Sequence, residues 1–295
     1  MYTLNTTFVP RAALAFAVGT TLAFSTGCAG TAHSQNTQEA AMSNQKIQVK
    51  SLLKSIETGE QGPAAVINPK KYIQHNLAVG DGIEGFGAVL AQLPKGSARV
   101  NTVRVFQDGD YVVAHSEYDF FGPKIGFDIF RFEQGKIVEH WDNLQEAPKG
   151  PNPSGHTMTD GPTEVVDREK TEANKALVKG FVDDILMNGK MDTMPKYIEG
   201  ERYTQHNPGV ADGLSGLGKA LEALAKAGTP MKYTQNHKIL GEGHFVLAVS
   251  EGEFMGKHVA FYDLFRVDNG KIVEHWDTIE AIPPQSAWKN QNGKF

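Results

Sequence analysis

One stretch of eight residues occurs twice in the chain, and this repeat constrains the fold more than any other feature. Residues 135–142 read GKIVEHWD, and residues 270–277 read the same. Each copy follows a similar apolar run, DIFRF at 128–132 and DLFRV at 263–267, across a short polar connection that ends in glycine. Two such runs joined in this way are typical of a β-hairpin. The chain therefore carries an internal duplication that includes this hairpin.

The length of the connection predicts which residues lie opposite each other in the hairpin. A three-residue loop at 133–135, with its glycine in the left-handed conformation, sets Asp128 opposite His140. The same count sets Asp263 opposite His275. Each repeat is therefore expected to hold an acid–histidine pair.

Side chains alternate across a strand, so the hairpin has two faces of different character. One face is expected to hold the acid–histidine pair among apolar neighbours: Asp128, Phe130, Val138, His140 and Asp142. The other is expected to pack on another sheet, because it places a tryptophan beside an arginine–glutamate pair: Phe127, Ile129, Arg131, Ile137, Glu139 and Trp141. Self-association through these outer faces is a further option.

A second landmark precedes each hairpin. Residues 72–76 read YIQHN and residues 203–207 read YTQHN, and an Asp-Gly pair follows each at the same offset. Apolar residues then recur at helical spacing, and further strands are predicted before the final strand: Arg99 to Phe106, Tyr111 to Phe120, Ile125 to Phe132, Tyr233 to Leu240, Phe245 to Phe254 and Val259 to Val267. Helices followed by an antiparallel meander predict an α+β fold.

These motifs resemble the SnoaL-like group of the nuclear transport factor 2 (NTF2) superfamily in both repeats. The resemblance implies two tandem cone-shaped domains, each a curved antiparallel sheet closed by N-terminal helices. Founding members of the group close polyketide rings by aldol condensation with an acidic general acid/base. The superfamily also includes isomerases, dehydratases, hydrolases and non-catalytic binding domains. One departure is that Leu77 follows Asn76, where Pro208 follows Asn207.

The N-terminus has the pattern of an export signal. Arg11 precedes an apolar run at residues 12–24 that is too short to span a bilayer, and small residues precede the lone cysteine, Cys28. This setting resembles a bacterial lipoprotein signal with Cys28 as the lipidation site, and predicts a periplasmic or membrane-anchored protein; cleavage and secretion is the alternative. The expected organisation is a signal at 1–28, a tether at 29–45, domains at 46–147 and 168–285, a linker at 148–167 and a tail at 286–295.

Composition limits the classes of partner. The net charge of −5 argues against nucleic-acid binding, and one cysteine cannot form an intrachain disulfide. No cofactor is expected. His115, Glu117 and Asp119 share a strand face and could imitate a metal shell, but Val249 stands at the matching position of the second repeat, so no metal site is predicted. A small molecule is the expected ligand, and a lipid anchor the only membrane contact.

An aspartate beside a histidine in an apolar pocket suits proton transfer. The residues predicted as catalytic are Asp263, His275, Asp128 and His140, and those predicted to bind substrate are Tyr72, His75, His115, Asp142, Tyr203, His206 and Asp277. Asp263 is expected to remove a proton next to a carbonyl, His275 to donate a hydrogen bond to the oxygen, and Asp277 to orient the substrate or imidazole. The alternative is an exported binding protein with two apolar pockets, in which the pairs are structural.

The second repeat is expected to carry any chemistry. Its helices before the landmark are clear, whereas Gly59, Gly62 and Pro63 interrupt the equivalent region of the first repeat. An enclosed cavity that both Asp263 and His275 face would favour an enzyme, and a filled interior would favour a structural role.

Overall fold

The computed structural model describes residues 44–94 and 96–295. Cys28, the predicted signal and nearly all of the tether lie outside the described residues. Within the described part, no helix is both long and apolar enough to cross a membrane. The first repeat comprises helix α1 at residues 44–58, followed by β1 (Ile73–Gln74), α2 (Gly82–Leu90), β2 (Arg99–Asp108), β3 (Tyr111–Asp119), β4 (Pro123–Glu133) and β5 (Lys136–Glu146).

The second repeat has the same order of elements. It comprises α3 (Thr171–Phe181), β6 (Thr204–Gln205), α4 (Gly213–Lys226), β7 (Lys232–Glu242), β8 (Phe245–Phe254), β9 (Lys257–Asp268) and β10 (Lys271–Ala281). A π-helical turn (Val182–Met187) continues α3, and a 3₁₀ turn (Met191–Lys196) follows it. Each repeat forms a five-stranded sheet, ordered β1-β5-β4-β3-β2 and β6-β10-β9-β8-β7. The predicted α+β fold with two tandem cone-shaped domains is confirmed.

Helices cover one face of each sheet and form a separate apolar core with it. Leu52 and Leu53 of α1 pack with Phe130 and Phe132 of β4 in the first repeat. Val178 and Phe181 of α3 pack in the same way against Phe265 of the second sheet. In the first repeat α1 continues to residue 58, so Gly59, Gly62 and Pro63 interrupt the chain only after this helix has ended, and the left-handed Gly59 follows it directly.

The predicted hairpin register is wrong by two residues. Asp128 lies opposite Asp142, and His140 lies opposite Phe130; the second repeat repeats this with Asp263 opposite Asp277 and His275 opposite Phe265. The loop contains only Gln134 and Gly135, both left-handed, and β5 carries a bulge near Val138. A shift of two residues preserves the face of every side chain beyond the bulge.

The acid and histidine of each hairpin therefore still share a face, as predicted. Between the loop and the bulge, the side chains of β5 face the opposite way from the prediction. Ile137 therefore packs in the core with Phe132 rather than on the outer face. Arg131 and Glu139, predicted as diagonal neighbours, lie directly opposite each other, with a hydrogen bond of 2.6 Å from Arg131 Nε to Glu139 Oε2.

The outer faces of the two sheets pack on each other within the chain. Trp141, Phe127 and Ile129 of the first sheet share one apolar cluster with Trp276 and Leu264 of the second. The sheet packing predicted from these faces is therefore present between the repeats. It also means that these apolar surfaces are buried inside the chain, where they cannot serve for self-association.

Each repeat places a cation over the tryptophan of the other. Arg104 of β2 lies 4.2 Å from the ring centre of Trp276, and Lys238 of β7 lies 4.4 Å from that of Trp141. Such contacts between a cation and an aromatic face are attractive, and more so when shielded from water.

The segment that follows each sheet also crosses to the other repeat. The Asn152 amide donates to the carbonyls of Gln205 (2.5 Å) and Val210 (3.0 Å). The Asn290 amide donates to those of Asn76 (2.8 Å) and Val79 (2.9 Å). Residues 148–167, predicted as a linker, thus pack against the second repeat, and the C-terminal tail packs against the first.

Candidate acid–base sites in two cavities

Each repeat has a partly open cavity between its sheet and its helices. The cavity of the second repeat has a volume of about 250 Å³, and that of the first about 90 Å³. Both are lined mainly by apolar side chains, and the polar residues at the wall of each correspond between the repeats: Tyr72, Gln74, Asn76, Asp128, His140 and Asp142 in the first, and Tyr203, Gln205, Asn207, Asp263, His275 and Asp277 in the second.

An aspartate and a histidine are in hydrogen-bond contact in both cavities. His140 Nε2 lies 3.0 Å from Asp128 Oδ1, and His275 Nε2 lies 3.0 Å from Asp263 Oδ1. The contact runs diagonally between neighbouring strands, since the two residues of each pair are not directly opposite. The structure therefore brings together all four residues predicted as catalytic, two in each cavity.

The other imidazole nitrogen shows that each pair shares a proton. His275 Nδ1 lies 2.8 Å from Gln205 Oε1, which also accepts from the backbone N–H groups of His206 and Asn207. Because this oxygen can only accept, Nδ1 carries a hydrogen. The bond from Nε2 to Asp263 then needs a second proton, held by either the imidazole or the carboxyl. Gln74 holds His140 in the same way at 3.1 Å.

A tyrosine hydroxyl donates to the same aspartate in each repeat, although it comes from different strands. Tyr118 Oη lies 2.5 Å from Asp128 Oδ2, and Tyr233 Oη lies 3.2 and 3.1 Å from the two oxygens of Asp263. Tyr118 pairs with Val100 across the sheet, whereas Tyr233 pairs with Gly252. The tyrosine therefore lies on the third strand of the first repeat, β3, but on the second strand of the second repeat, β7, at the position that faces it across the sheet.

Each cavity has a second carboxyl group, of which only one oxygen accepts a hydrogen bond from the part of the chain that the structure describes. Asn207 Nδ2 donates to Asp277 Oδ2 at 2.7 Å, and Asn76 Nδ2 donates to Asp142 Oδ2 at 2.6 Å. The Oδ1 atoms of both aspartates are buried and have no hydrogen-bond partner among the described residues. Such an oxygen is costly to bury in its charged form.

The two free carboxyl oxygens differ in their electrostatic surroundings. Lys294, from the C-terminal tail, is buried with its Nζ 3.7 Å from Asp142 Oδ1, and it also forms an ion pair with Glu280. The described residues place no lysine or arginine in salt-bridge contact with Asp277. Burial raises the pKa of Asp277 to about 6, although the charge of His275 and the Asn207 hydrogen bond oppose this rise.

The pKa values of the partner groups are shifted as well. Burial lowers the pKa of His275, but the hydrogen bond to Asp263 and the charges of Asp277 and Asp263 outweigh it, so the net pKa is raised. Burial also raises the pKa of Asp128, against the effect of His140. The second cavity therefore contains two groups with raised pKa values, the carboxyl group of Asp277 at about 6 and the imidazole of His275.

Of the residues predicted to bind substrate, Tyr72, Asp142, Tyr203 and Asp277 line the cavities. The structure places the other three on the outer faces of the sheets. His75 stacks on Trp141 and contacts Glu139 Oε1 at 2.9 Å, and His206 does the same with Trp276 and Glu274. His115 stacks on Phe127 and contacts Arg104. Successive side chains along a strand point to opposite faces. His75 and His206 each follow a glutamine that faces the cavity, so both histidines lie on the outer face.

Sequence reasoning missed the glutamine, asparagine, tyrosine and lysine that complete the sites. Gln205 and Asn207 occupy alternate positions of the YTQHN landmark with Tyr203, so a period of two was the available signal. No local signal pointed to Lys294, because it approaches from the far end of the chain.

Each cavity cluster also has donor atoms that a divalent cation could use. The potential ligand atoms of Asp263, His275 and Asp277 lie within 4.8 Å of one another, as do those of Asp128, His140 and Asp142. The histidine nitrogen that such an ion would need is, however, already 3.0 Å from an aspartate oxygen in both clusters. The geometry therefore fits a proton-sharing pair better than a metal shell.

No protein-family model matches this chain, and no curated protein matches it either. Among solved structures, IdmH of Streptomyces antibioticus, named as a candidate polyketide cyclase, is 22% identical with a TM-score of 0.30, over 36% of this chain and 91% of that chain. An NTF2-like protein of Burkholderia xenovorans is 14% identical with a TM-score of 0.32, over 38% and 89%. An LEH-like epoxide hydrolase of M. tuberculosis is 23% identical with a TM-score of 0.29, over 38% and 85%. One of these matches is named as NTF2-like, the superfamily that the repeated motifs resemble, and each match covers 36% to 38% of this chain, about the length of one repeat.

Proposed function

We propose that this protein is a SnoaL-like enzyme that moves a proton at the carbon next to a carbonyl group of a small, largely apolar compound, and that it does so in the second cavity. The carrying observation is the free, buried Oδ1 of Asp277 beside an Asp263–His275 pair that shares a proton. The cavity volume of about 250 Å³ lies below the roughly 300–1,000 Å³ usual for ligand pockets, which favours a small substrate.

In the proposed reaction, Asp277 is the general base. Its Oδ1 removes the proton, because both oxygens of Asp263 already accept hydrogen bonds from Tyr233 and His275. This exchanges the roles expected from the sequence for Asp263 and Asp277. Burial raises the pKa of Asp277 to about 6, against the opposing effect of the His275 charge. A general base whose pKa lies near the working pH can both accept a proton and give it back.

The other polar groups have supporting roles in the proposal. Both nitrogens of His275 are engaged, by Gln205 and by Asp263, so His275 tunes the charge of Asp277 rather than contacting the carbonyl oxygen. Tyr203 lines the cavity, and burial raises the pKa of its hydroxyl, which keeps the hydroxyl protonated. It is the proposed donor to the oxygen as enolate charge develops.

Proton exchange in D₂O tests the proposal. Small apolar ketones are incubated with the protein, and deuterium incorporation next to the carbonyl is followed by NMR. Exchange is expected with wild type, with kcat/KM rising as the pH passes about 6 and Asp277 becomes ionised. A ketone that binds in the second cavity without catalysed exchange would instead support the binding protein.

The features of the first cavity support the alternative function, in which a repeat binds a small molecule without chemistry. Its volume is about 90 Å³, and Lys294 lies near the carboxyl group that corresponds to Asp277. Lys294 gives this carboxyl group a cationic partner, and the described residues give Asp277 none.

The proposal includes export, on the strength of the N-terminal pattern and Cys28. Lipidation at Cys28 would anchor the protein to a membrane. Substitution Cys28→Ala is then expected to release the protein into the soluble fraction of its host, and unchanged fractionation would contradict the anchor.

A further inference from the structure

Two histidines outside both cavities meet where the segment between the repeats crosses the second repeat. Residues 152–160 of this segment, called the strap here, carry His156 and lie against His206 of the YTQHN landmark. His206 is buried, and its ring stacks on Trp276 with the ring centres 4.6 Å apart. The ring centres of His156 and His206 lie 5.2 Å apart. The strap therefore brings a second imidazole close to a buried one.

Both nitrogens of His206 face oxygen atoms. Nδ1 lies 2.8 Å from the Thr157 carbonyl oxygen and 2.7 Å from Asp160 Oδ1, and Nε2 lies 2.9 Å from Glu274 Oε1. The carbonyl oxygen can only accept, so Nδ1 carries a hydrogen. Burial raises the pKa of Glu274, but the hydrogen bonds from His206 and Arg266 outweigh burial and lower it. The Glu274 carboxyl group is therefore ionised, Nε2 carries a hydrogen too, and His206 is an imidazolium.

His156 also has a carboxylate oxygen at each of its nitrogens. Nδ1 lies 3.3 Å from Asp160 Oδ2, and Nε2 lies 3.2 Å from Asp212 Oδ2. Burial lowers the pKa of His156, but the hydrogen bonds and charges of the two aspartates outweigh burial, so the net pKa lies above the ordinary value of 6.5. A protonated imidazole can donate to both carboxylates, whereas a neutral one can donate to only one.

The charged and titratable groups around the two histidines come from the strap itself and from the elements packed against it. Three are carboxylates in direct contact with the imidazole nitrogens, and this contact favours the protonated rings. Two are arginines, one bound to a carboxylate and one over the Trp276 ring, and the last is a buried imidazole. The groups are Asp160 on the strap, Asp212 before α4, Glu274 on β10, Arg266 on β9, Arg104 on β2 and His115 on β3.

The strap also supports the wall of the second cavity. The side-chain amide of Asn152 donates to the backbone carbonyl of Gln205 at 2.5 Å. Asp212 accepts the backbone N–H of Gln205 at 2.9 Å through Oδ1, and its other oxygen contacts His156. Inside the cavity, Gln205 Oε1 lies 2.8 Å from His275 Nδ1. The strand that places Gln205 in the cavity wall is therefore held by a strap that carries one of the two imidazoles.

We propose that the strap is a pH-sensitive fastening of this wall, closed while His156 and His206 are protonated and loosened when they release their protons. A neutral imidazole leaves one oxygen facing a lone pair, and clusters of histidines switch protein contacts in this way. The stabilisation is complete below about pH 6.5 and is lost as the pH rises through the raised pKa of His156. The fastening acts on the fold of the second repeat and needs no reaction in the cavity.

The C-terminal tail crosses the first repeat with a different set of groups. His75 Nδ1 lies 2.9 Å from the Gly293 carbonyl oxygen, and Nε2 lies 2.9 Å from Glu139 Oε1. Lys294 stands in place of His156. Burial lowers the pKa of His75 below 6.5 despite the hydrogen bond to Glu139. The tail is therefore expected to stay equally well ordered above about pH 6.5, and it serves as an internal reference.

Hydrogen exchange of the full chain, measured by mass spectrometry at about pH 6.5 and about pH 8.5 and corrected for the intrinsic effect of pH, tests the fastening. The backbone N–H groups of Ser154 and His156 report on the strap, because both donate to Asn152 Oδ1 at 2.9 Å. Their protection in wild type is expected to fall roughly 10-fold or more at the higher pH, the effect of losing one hydrogen bond to a charged group. The N–H of Asn292, which donates to Asn290 Oδ1 in the tail, is expected to keep its protection.

Asp160→Asn tests the cause of the effect. It removes the carboxylate between the two histidines and keeps the hydrogen bonds that Arg104 and Trp276 donate to the carbonyl oxygen of residue 160. The strap of this variant is expected to be less protected than wild type at about pH 6.5 and to lose most of its dependence on pH.

His258→Gln is the matched control, because His258 and His237 contact Glu251 in another histidine–carboxylate cluster. Its strap is expected to respond to pH as the wild-type strap does. Three results would overturn the proposal: equal protection of the wild-type strap at both pH values, an equal loss of protection in the tail, or an undiminished pH effect in Asp160→Asn. Loss of the pH effect in His258→Gln would also overturn it.

Discussion

The two repeats contain the same residues at the wall of the cavity, yet they place the free carboxyl group in different surroundings. Asp142 lies near the buried Lys294, whereas Asp277 has no cationic lysine or arginine in contact among the described residues. The cavity around Asp277 is also larger, at about 250 Å³ against about 90 Å³. A duplicated scaffold can thus hold one carboxyl group beside a buried cation and one that has no such partner among the described residues.

The largest expected difference between the repeats is in activity. Asp277→Asn should lower kcat/KM for deuterium exchange by about 10²–10⁴, since it removes the proposed base while its amide oxygen can still accept from Asn207. Asp142→Asn should change kcat/KM less than about threefold. Equal losses in both variants, or a larger loss in Asp142→Asn, would move the chemistry out of the second repeat.

The second expected difference concerns the C-terminal tail. Lys294→Met should lower the free energy of unfolding by about 3 kcal/mol at pH 8, because it leaves the buried Asp142 and the partly buried Glu280 without their cation. The matched control is His156→Ala, at the corresponding position of the segment that follows the first sheet, which should cost less than about 1 kcal/mol because that residue is partly exposed. Denaturant titrations measure both. A cost for Lys294→Met no greater than that of the control would show that the buried pair is not stabilising.

Much of this arrangement could be predicted from the sequence, because the duplication and the period of two are local signals. The error in the hairpin register left the faces intact, since the shift was two residues. What the sequence could not provide was contact between distant segments. Lys294 reaches Asp142 only because the tail crosses to the first repeat, and the position of Tyr233 near Asp263 depends on strand register.

A third difference concerns the pH dependence of stability. The pKa of Asp277 is about 6 in the folded protein, above the ordinary value of 3.8, so the unfolded chain loses this proton first as the pH rises. Stability therefore falls as the pH rises from about 4 to about 6, and the full cost, about 3 kcal/mol at most, remains above that window.

Asp277→Asn should remove this cost and raise the free energy of unfolding at pH 8 by about 1–3 kcal/mol, with little effect at pH 4. Asp142→Asn should give no such gain, because it removes the partner of Lys294. Chemical denaturation of both variants at the two pH values makes the comparison. A gain of the same size for Asp142→Asn would mean that Lys294 does not compensate its partner.

The smallest expected difference concerns the tyrosine that donates to the aspartate of each acid–histidine pair, Tyr118 in the first repeat and Tyr233 in the second. Tyr118→Phe removes a single hydrogen bond of 2.5 Å to Asp128 and should lower the free energy of unfolding by about 1–2 kcal/mol, because a carboxyl oxygen then loses a buried donor. Tyr233→Phe removes a hydroxyl shared between both oxygens of Asp263 at 3.2 and 3.1 Å. Longer, divided hydrogen bonds are weaker, so the cost should be below about 1 kcal/mol.

Since Asp263 also holds His275, Tyr233→Phe should still alter the pH profile of deuterium exchange, whereas Tyr118→Phe should leave it unchanged. A shifted profile in Tyr118→Phe would show that the first cavity contributes to the reaction.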